Sequence, residues 1–124
     1  MSKFKNFNDL SNFVLTTYNI KPEFPWKDYP KFAVFRHKDS KRRGKWFMLF
    51  MEISGKKLGL QSDEILSVIN LKCDPELSLI LQDKKNIFSA YHMNKKHWIS
   101  VILNSISKSQ ICDLIEQSIE LTKK

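Results

Sequence analysis

Trp46-Phe47-Met48-Leu49-Phe50-Met51-Glu52-Ile53 carries apolar side chains on both faces of an extended chain, with Trp46, Met48 and Phe50 against Phe47, Leu49 and Met51. Successive side chains of a strand point to opposite faces, so this pattern predicts a central strand covered on both sides. Such a strand needs neighbours, and the flanking sequence supplies them. Phe32 to His37 reads as a strand, followed by a polar turn ending at Gly44. Ile65 to Lys72, rich in β-branched and apolar residues, and Trp98 to Leu103 read the same way. Lys57-Leu58-Gly59-Leu60 offers a short edge strand.

Helices are expected around this sheet. Residues 8 to 18 place Phe7, Leu10, Val14 and Tyr18 at helical spacing, with Asn6 or Asn8 available to cap. Asp74-Pro75-Glu76 is a helix start: Asp caps, Pro fits the first helical position and Glu complements the positive end. Leu77, Ile80 and Leu81 are expected on its buried face. Ser107-Lys108-Ser109-Gln110 has capping-box form, and Ile111, Leu114, Ile115 and Ser118 continue along one face. Lys21 to Pro30, with three prolines, Trp26 and Tyr29, reads as an ordered irregular connection. The expected fold is α+β over residues 1–124 as one domain, a two-layer structure. An antiparallel sheet of about five strands packs against helices from both ends of the chain and one from the middle.

The chain has 124 residues, 42% hydrophobic and 27% charged, as expected of a globular domain with a single core. No apolar run reaches the roughly 20 residues that span a bilayer, and the start Met1-Ser2-Lys3-Phe4-Lys5-Asn6 lacks a signal-peptide pattern. A cytoplasmic location is therefore expected, with Cys73 and Cys112 reduced. The formal net charge is +8, from 21 Lys and Arg against 13 Asp and Glu. That charge attracts polyanions, although lysine is far commoner here than arginine, the stronger marker of base and phosphate recognition.

The positive charge is segregated along the chain. Residues 38–45 carry five positive charges and one negative, and Lys84 through Cys112 contains five lysines and no acid. Acids gather instead between Glu52 and Glu76 and on the last helix, at Asp113, Glu116 and Glu120. Two candidate patches follow for a nucleic-acid partner. Lys41, Arg42, Arg43 and Lys45 would track a phosphate backbone from a hairpin turn. In Ala90-Tyr91-His92-Met93-Asn94-Lys95-Lys96-His97-Trp98, the lysines Lys95 and Lys96 would contact phosphate. His92, Asn94 and His97 would add orientation or base contact, while Tyr91 or Trp98 would stack. The opposing reading makes Asn94 and His97 caps of a turn and buries the two aromatic rings. Lys72, set before Cys73 in an apolar strand, must reach water, a carboxylate or a ligand.

Phe24-Pro25-Trp26-Lys27-Asp28-Tyr29-Pro30, Ala33-Val34-Phe35-Arg36-His37, Leu71-Lys72-Cys73-Asp74-Pro75 and Tyr91 to Trp98 closely resemble the MmcQ/YjbR family. The match runs in order along nearly the whole chain. The resemblance implies a compact α+β fold similar to frataxin-like and secretion-chaperone-like domains. It also implies DNA binding, the property by which family members are commonly described.

Chemistry is less well signalled. His92 and His97 are five apart, whereas two ligands on one helix face stand three or four apart. Cys73 and Asp74 would complete a metal site or a nucleophile pair only if the fold delivered them. No Gly-rich phosphate loop, HExxH or GxSxG is present. The expectation is a DNA-binding protein that acts through a basic face, with no enzyme activity, catalytic residue, metal or cofactor. The alternative is a protein-interaction or chaperone-like module whose groove is lined by Trp26, Tyr29 and Trp46.

Overall fold

The computed structural model describes residues 2–38 and 44–123. Helix α1 (Phe7–Tyr18) is followed by strands β1 (Ala33–Arg36), β2 (Trp46–Ser54) and β3 (Ile65–Lys72). Helix α2 (Pro75–Leu81), strands β4 (Ile87–Ser89) and β5 (Trp98–Ile102) and helix α3 (Lys108–Leu121) complete the order. The five strands pair antiparallel in the order β1-β2-β3-β5-β4. The expected α+β architecture is present, with one exchange of strands. Lys57 to Leu60 is not an edge strand, because Ser54 caps a 3-10 turn at Gly55–Leu58 that ends at Gly59 with φ of 89°. The fifth strand is Ile87–Ser89, too short to register as a period-2 pattern.

The helix starts follow their capping residues. Asn6 accepts from the Asp9 N–H, Asp74 from the N–H groups of Glu76 and Leu77, and Ser107 from that of Gln110. All three helices cover one face of the sheet. Leu10 and Val14 of α1 and Ile111, Leu114 and Ile115 of α3 bury against Phe35, Met48, Phe50, Ile69 and Val101, with Leu77 and Leu81 of α2 packed alongside. Ile80 departs from the expected buried face. This short helix packs through Leu77, Ser78 and Leu81, which turns Ile80 and Leu79 outward, 80% and 78% exposed. Cys73 is buried in this helix-side core and Cys112 is half-buried, both as free thiols.

The opposite face carries a smaller cluster of Val34, Leu49, Met51, Ile53 and Val68, covered by loop residues. One irregularity in β2 decides which side chains reach it. Phe35 pairs with Met48 but Arg36 pairs with Trp46, so Phe47 is the extra residue of a bulge. Strict alternation would have put Trp46 with Met48 and Phe50, as the sequence pattern suggests. The bulge instead joins Phe47 to Met48 and Phe50 in the helix-side core and moves Trp46 to the other face, beside Leu49 and Met51.

The bulge is stitched by α3. The β2–β3 ladder stops at Met48–Leu71. Just beyond it, the buried Ser118 hydroxyl accepts from the Lys72 N–H at 2.9 Å and donates to the Phe47 carbonyl at 2.5 Å. A single side chain thus satisfies the donor and acceptor that the ladder would otherwise have paired. Ser118→Ala should destabilise the fold by about 3 kcal/mol, since two buried backbone groups lose their partner at once. Urea unfolding checks this against Ser109→Ala, an exposed position on the same helix. Equal midpoints for the two variants would mean the stitch contributes nothing.

Candidate functional site

The face opposite the helices opens into a cleft of about 640 Å³. Its floor is Leu49 and Met51 of β2. Trp46 and Trp98, the first residues of β2 and β5, stand on it, and Trp26, Tyr29 and Phe32 come from the proline-bounded connection before β1. Tyr91, His92, Met93 and Asn94 form the remaining wall. Trp26 and Trp46 meet edge to face, with centroids 5.6 Å apart and planes at 88°. Tyr29 lies stacked on Phe32 at 4.9 Å and is 56% exposed, so one ring face is buttressed and the other meets solvent. Arg36 sits over Trp46 at 5.7 Å while its Nε donates to Glu23 at 2.9 Å, so its charge is already paired.

The segment from Tyr91 to Trp98 is fastened to the sheet by polar groups. Asn70 of β3, with no exposed surface, donates through Nδ2 to the Tyr91 carbonyl at 2.9 Å. Ser100 of β5, its register partner, donates to Asn70 Oδ1 and accepts from the Tyr91 N–H at 2.9 Å. This closed triangle holds both backbone groups of Tyr91. Asn94 accepts from the N–H groups of Lys96 and His97, capping the turn into β5. Lys95 Nζ reaches back 2.5 Å to the Ala90 carbonyl. His92 occupies left-handed backbone at φ 60°, and its ring lies 4.1 Å from that of Tyr91.

The basic residues singled out from the sequence gather at one end of the sheet. Antiparallel pairing brings the end of β1, the start of β2, the end of β3 and the start of β5 together. His37 donates its backbone N–H to the Lys45 carbonyl, Lys72 pairs with Trp98, and the Cys73 N–H donates to the His97 carbonyl. Lys45, Lys72, Lys96 and His97 therefore share this end, with Lys45 and Lys96 exposed and Lys72 and His97 half-buried. Gly44 returns the chain so close to His37 that a side chain there would strike the His37 carbonyl. Lys41, Arg42 and Arg43 lie outside the described residues.

Asn94 and Lys95 thus spend polar groups on the segment's own shape, and His92 and Asn94 face the cleft. Of the cleft's aromatic and thioether walls, only Tyr91 and Trp98 were singled out for nucleic acid, as stacking rings. Trp26, Tyr29 and Trp46 were recognised only as a groove for a protein partner, and Phe32, Met51 and Met93 gave no signal beyond hydrophobicity. Cys73 faces the helix-side core, where burial and then Asp74 push its thiol pKa up. Among the described residues, no group of three or more His, Cys, Asp or Glu side chains is placed to hold a metal ion. No helix among them is long and apolar enough to cross a membrane.

His37 closes the basic end against α3. Its Nε2 lies 2.7 Å from Thr122 Oγ1, and that hydroxyl already donates to the Ser118 carbonyl at 2.7 Å. The hydroxyl proton being committed, Nε2 must be the donor, which fixes the neutral tautomer. Burial, then Lys123 and Lys45, hold the His37 pKa below its ordinary value.

Comparison with known proteins gives a consistent family. The YjbR family model matches residues 15–121. Uncharacterized protein YyaQ of Bacillus subtilis (strain 168) is 41% identical over 116 residues, covering 93% of this chain and 96% of that protein. Uncharacterized protein YbdF of Escherichia coli O157:H7 is 42% identical over 98 residues, 77% of this chain and 68% of that protein. A Pseudomonas syringae crystal structure, at 41% identity, aligns with a TM-score of 0.87 over 95% of this chain and 99% of its own. A Deinococcus radiodurans structure with the DUF419 family-model domain aligns at 0.74 over 98% of this chain and 80% of its own. At 22% identity it speaks for the fold alone.

Two predictions follow from the site's internal bonds. Asn70→Ala orphans the Tyr91 carbonyl and the Ser100 hydroxyl, and should cost about 2 kcal/mol in urea unfolding while speeding amide exchange at Tyr91. Unchanged exchange would show that the triangle does not hold the segment. The folded-state pKa of His37 lies below the unfolded value of 6.5, so the unfolded chain binds the proton more readily. Its contribution to stability is complete above pH 6.5 and is lost as pH falls through the folded pKa. Unfolding midpoints of the parent and His37→Gln should converge on acidification; parallel curves would contradict this.

Proposed function

The chain belongs to the YjbR family, and from the geometry of its site we propose that it binds nucleic acid. The carrying observation is the convergence of Lys45, Lys72, Lys96 and His97, distant in sequence, on one sheet end beside an open aromatic cleft. Clustered cations gain affinity for a phosphate chain by displacing its condensed counterions, which a dispersed solubility charge does not do. Lys41, Arg42 and Arg43 fall in the connection between Lys38 and Gly44, whose two anchors stand at that same end. DNA is the partner proposed first. Phosphate contacts supply most of the affinity, and the protein performs no reaction on the strand.

A protein-interaction module is the second reading, favoured by Leu79 and Ile80, which stand exposed on α2 in the helix layer. That exposed pair lies in the layer opposite the cleft of Trp26, Tyr29 and Trp46, so one set of variants separates a partner docked there from nucleic acid at the basic end. Leu79→Ser with Ile80→Ser leaves nucleic-acid binding unchanged if the basic end is the interface.

Fluorescence anisotropy of labelled oligonucleotides across a salt series tests the proposal. Log affinity should fall linearly with log salt, and Lys45→Ala with Lys96→Ala should make that slope shallower by roughly 0.7–0.9 per contact removed. Arg42→Ala with Arg43→Ala should weaken binding alike on all sequences. Affinity indifferent to salt, or no complex at physiological salt, would sink the nucleic-acid reading.

A further inference from the structure

The cleft is shaped for something that a paired duplex does not offer. Bases within a duplex present their edges in the grooves and keep their faces stacked on one another. The cleft offers the reverse: aromatic faces and edges, and few polar groups. Building on the nucleic-acid reading, we infer that the cleft holds an unpaired base, so that the preferred partner is a single strand, with Tyr29 as the outer stacking platform.

Three observations carry this. The first is the open face of Tyr29, which is 56% exposed yet backed by Phe32 at 4.9 Å. A ring held rigid from behind and bare in front loses little freedom when a base settles on it. The second is a cation set against an aromatic ring at the edge of the cleft. Lys72 pairs in register with Trp98, which puts the two on the same face of the sheet, and the exposed Lys96 lies two residues before Trp98. A charge next to a ring suits a phosphate next to a base along one strand. The third is the rim. His92 lines the cleft from a left-handed backbone position, and Asn94, whose Oδ1 is spent on the turn, has its Nδ2 donors for the edge of a guest base. A volume of about 640 Å³ leaves room for such a guest.

The net charge selects among occupants. A cage of Trp and Tyr rings also suits an organic cation, but Lys72, paired with Trp98, and the exposed Lys96 would repel one. A planar group attached to an anion satisfies both the walls and the rim.

The test uses three labelled probes of equal length on the full chain: an oligothymidylate, the duplex formed with its complement, and the same backbone bearing abasic spacers. The oligothymidylate should bind about tenfold tighter than either alternative. Tyr29→Ala should weaken it by about tenfold at every salt concentration without altering the salt slope, and Tyr29→Phe should restore it. Lys96→Ala should do the opposite, making the slope shallower for every probe. If the abasic strand or the duplex binds as tightly, or Tyr29→Ala is silent while Lys96→Ala acts, base capture is overturned and nucleic-acid binding stands. If no probe binds, the nucleic-acid reading fails, and this inference fails with it.

Discussion

A single hydroxyl, that of Ser118, holds together the part of the fold on which the site depends. The bulge at Phe47 breaks the pairing between β2 and β3 just where both strands reach the end of the sheet. Buried backbone groups left there without partners would cost enough to favour a regular ladder. By accepting from Lys72 and donating to Phe47, Ser118 makes the irregular register tolerable. The consequence is directional. Trp46 is moved off the helix-side core, where the apolar and aromatic residues of α1, α3 and the sheet already compete for volume, and onto the open face. The next turn of α3 adds Thr122, which accepts from His37 and donates back to the helix. The basic end is thereby docked to α3 by two consecutive hydroxyls.

The open face illustrates how a polar triangle can position an apolar surface. Asn70 and Ser100 sit opposite each other on β3 and β5, the one pair of buried polar residues on strands otherwise filled with Val, Ile and Leu. Their cost as buried polar groups is offset only when every donor and acceptor is used, and Tyr91 supplies the missing partners with both its backbone groups. The segment that follows is then fixed in place, with Tyr91 and Met93 against the apolar cluster and His92 at the rim. Such rigidity before binding is what an aromatic site needs, because the ordering cost has already been met in folding.

Charge and aromatic surface share one end of the molecule for a topological reason. In an antiparallel sheet, the end of one strand lies beside the start of the next. Lysines that flank β2, β3 and β5 at their Lys45, Lys72 and Lys96 termini therefore meet, although up to fifty-one positions separate them. Acids lie in both layers. Asp74, Glu116 and Glu120 border a shallow depression on the helix layer, and Glu23 pairs with Arg36 beside Trp46.

The sequence by itself determined the fold class, the three helices and the long strands, while the short Ile87–Ser89 strand and the 3-10 turn at Gly55–Leu58 escaped it. Asn6, Asp74 and Ser107 announce their helices because capping is a contact between near neighbours. The covered β2 follows from hydrophobicity alone, and four quoted blocks identify the YjbR family. It also singled out Tyr91 to Trp98 as a candidate segment, part of which lines the cleft. What it left undecided were quantities set by distant residues. Strict alternation puts Trp46 with Phe50, and only Ser118, seventy-one positions from Phe47, makes the bulge that reverses it. Ile80 has helical spacing from Leu77, yet the angle at which α2 meets the core turns it to solvent. Lys95 and Asn94 look free for a ligand until the turn that consumes them is closed. The tertiary structure alone decided that Lys45, Lys72 and Lys96 share one end of the sheet with Trp46 and Trp98 of the aromatic cleft, because their proximity comes from strand pairing across the chain and is absent from any local window.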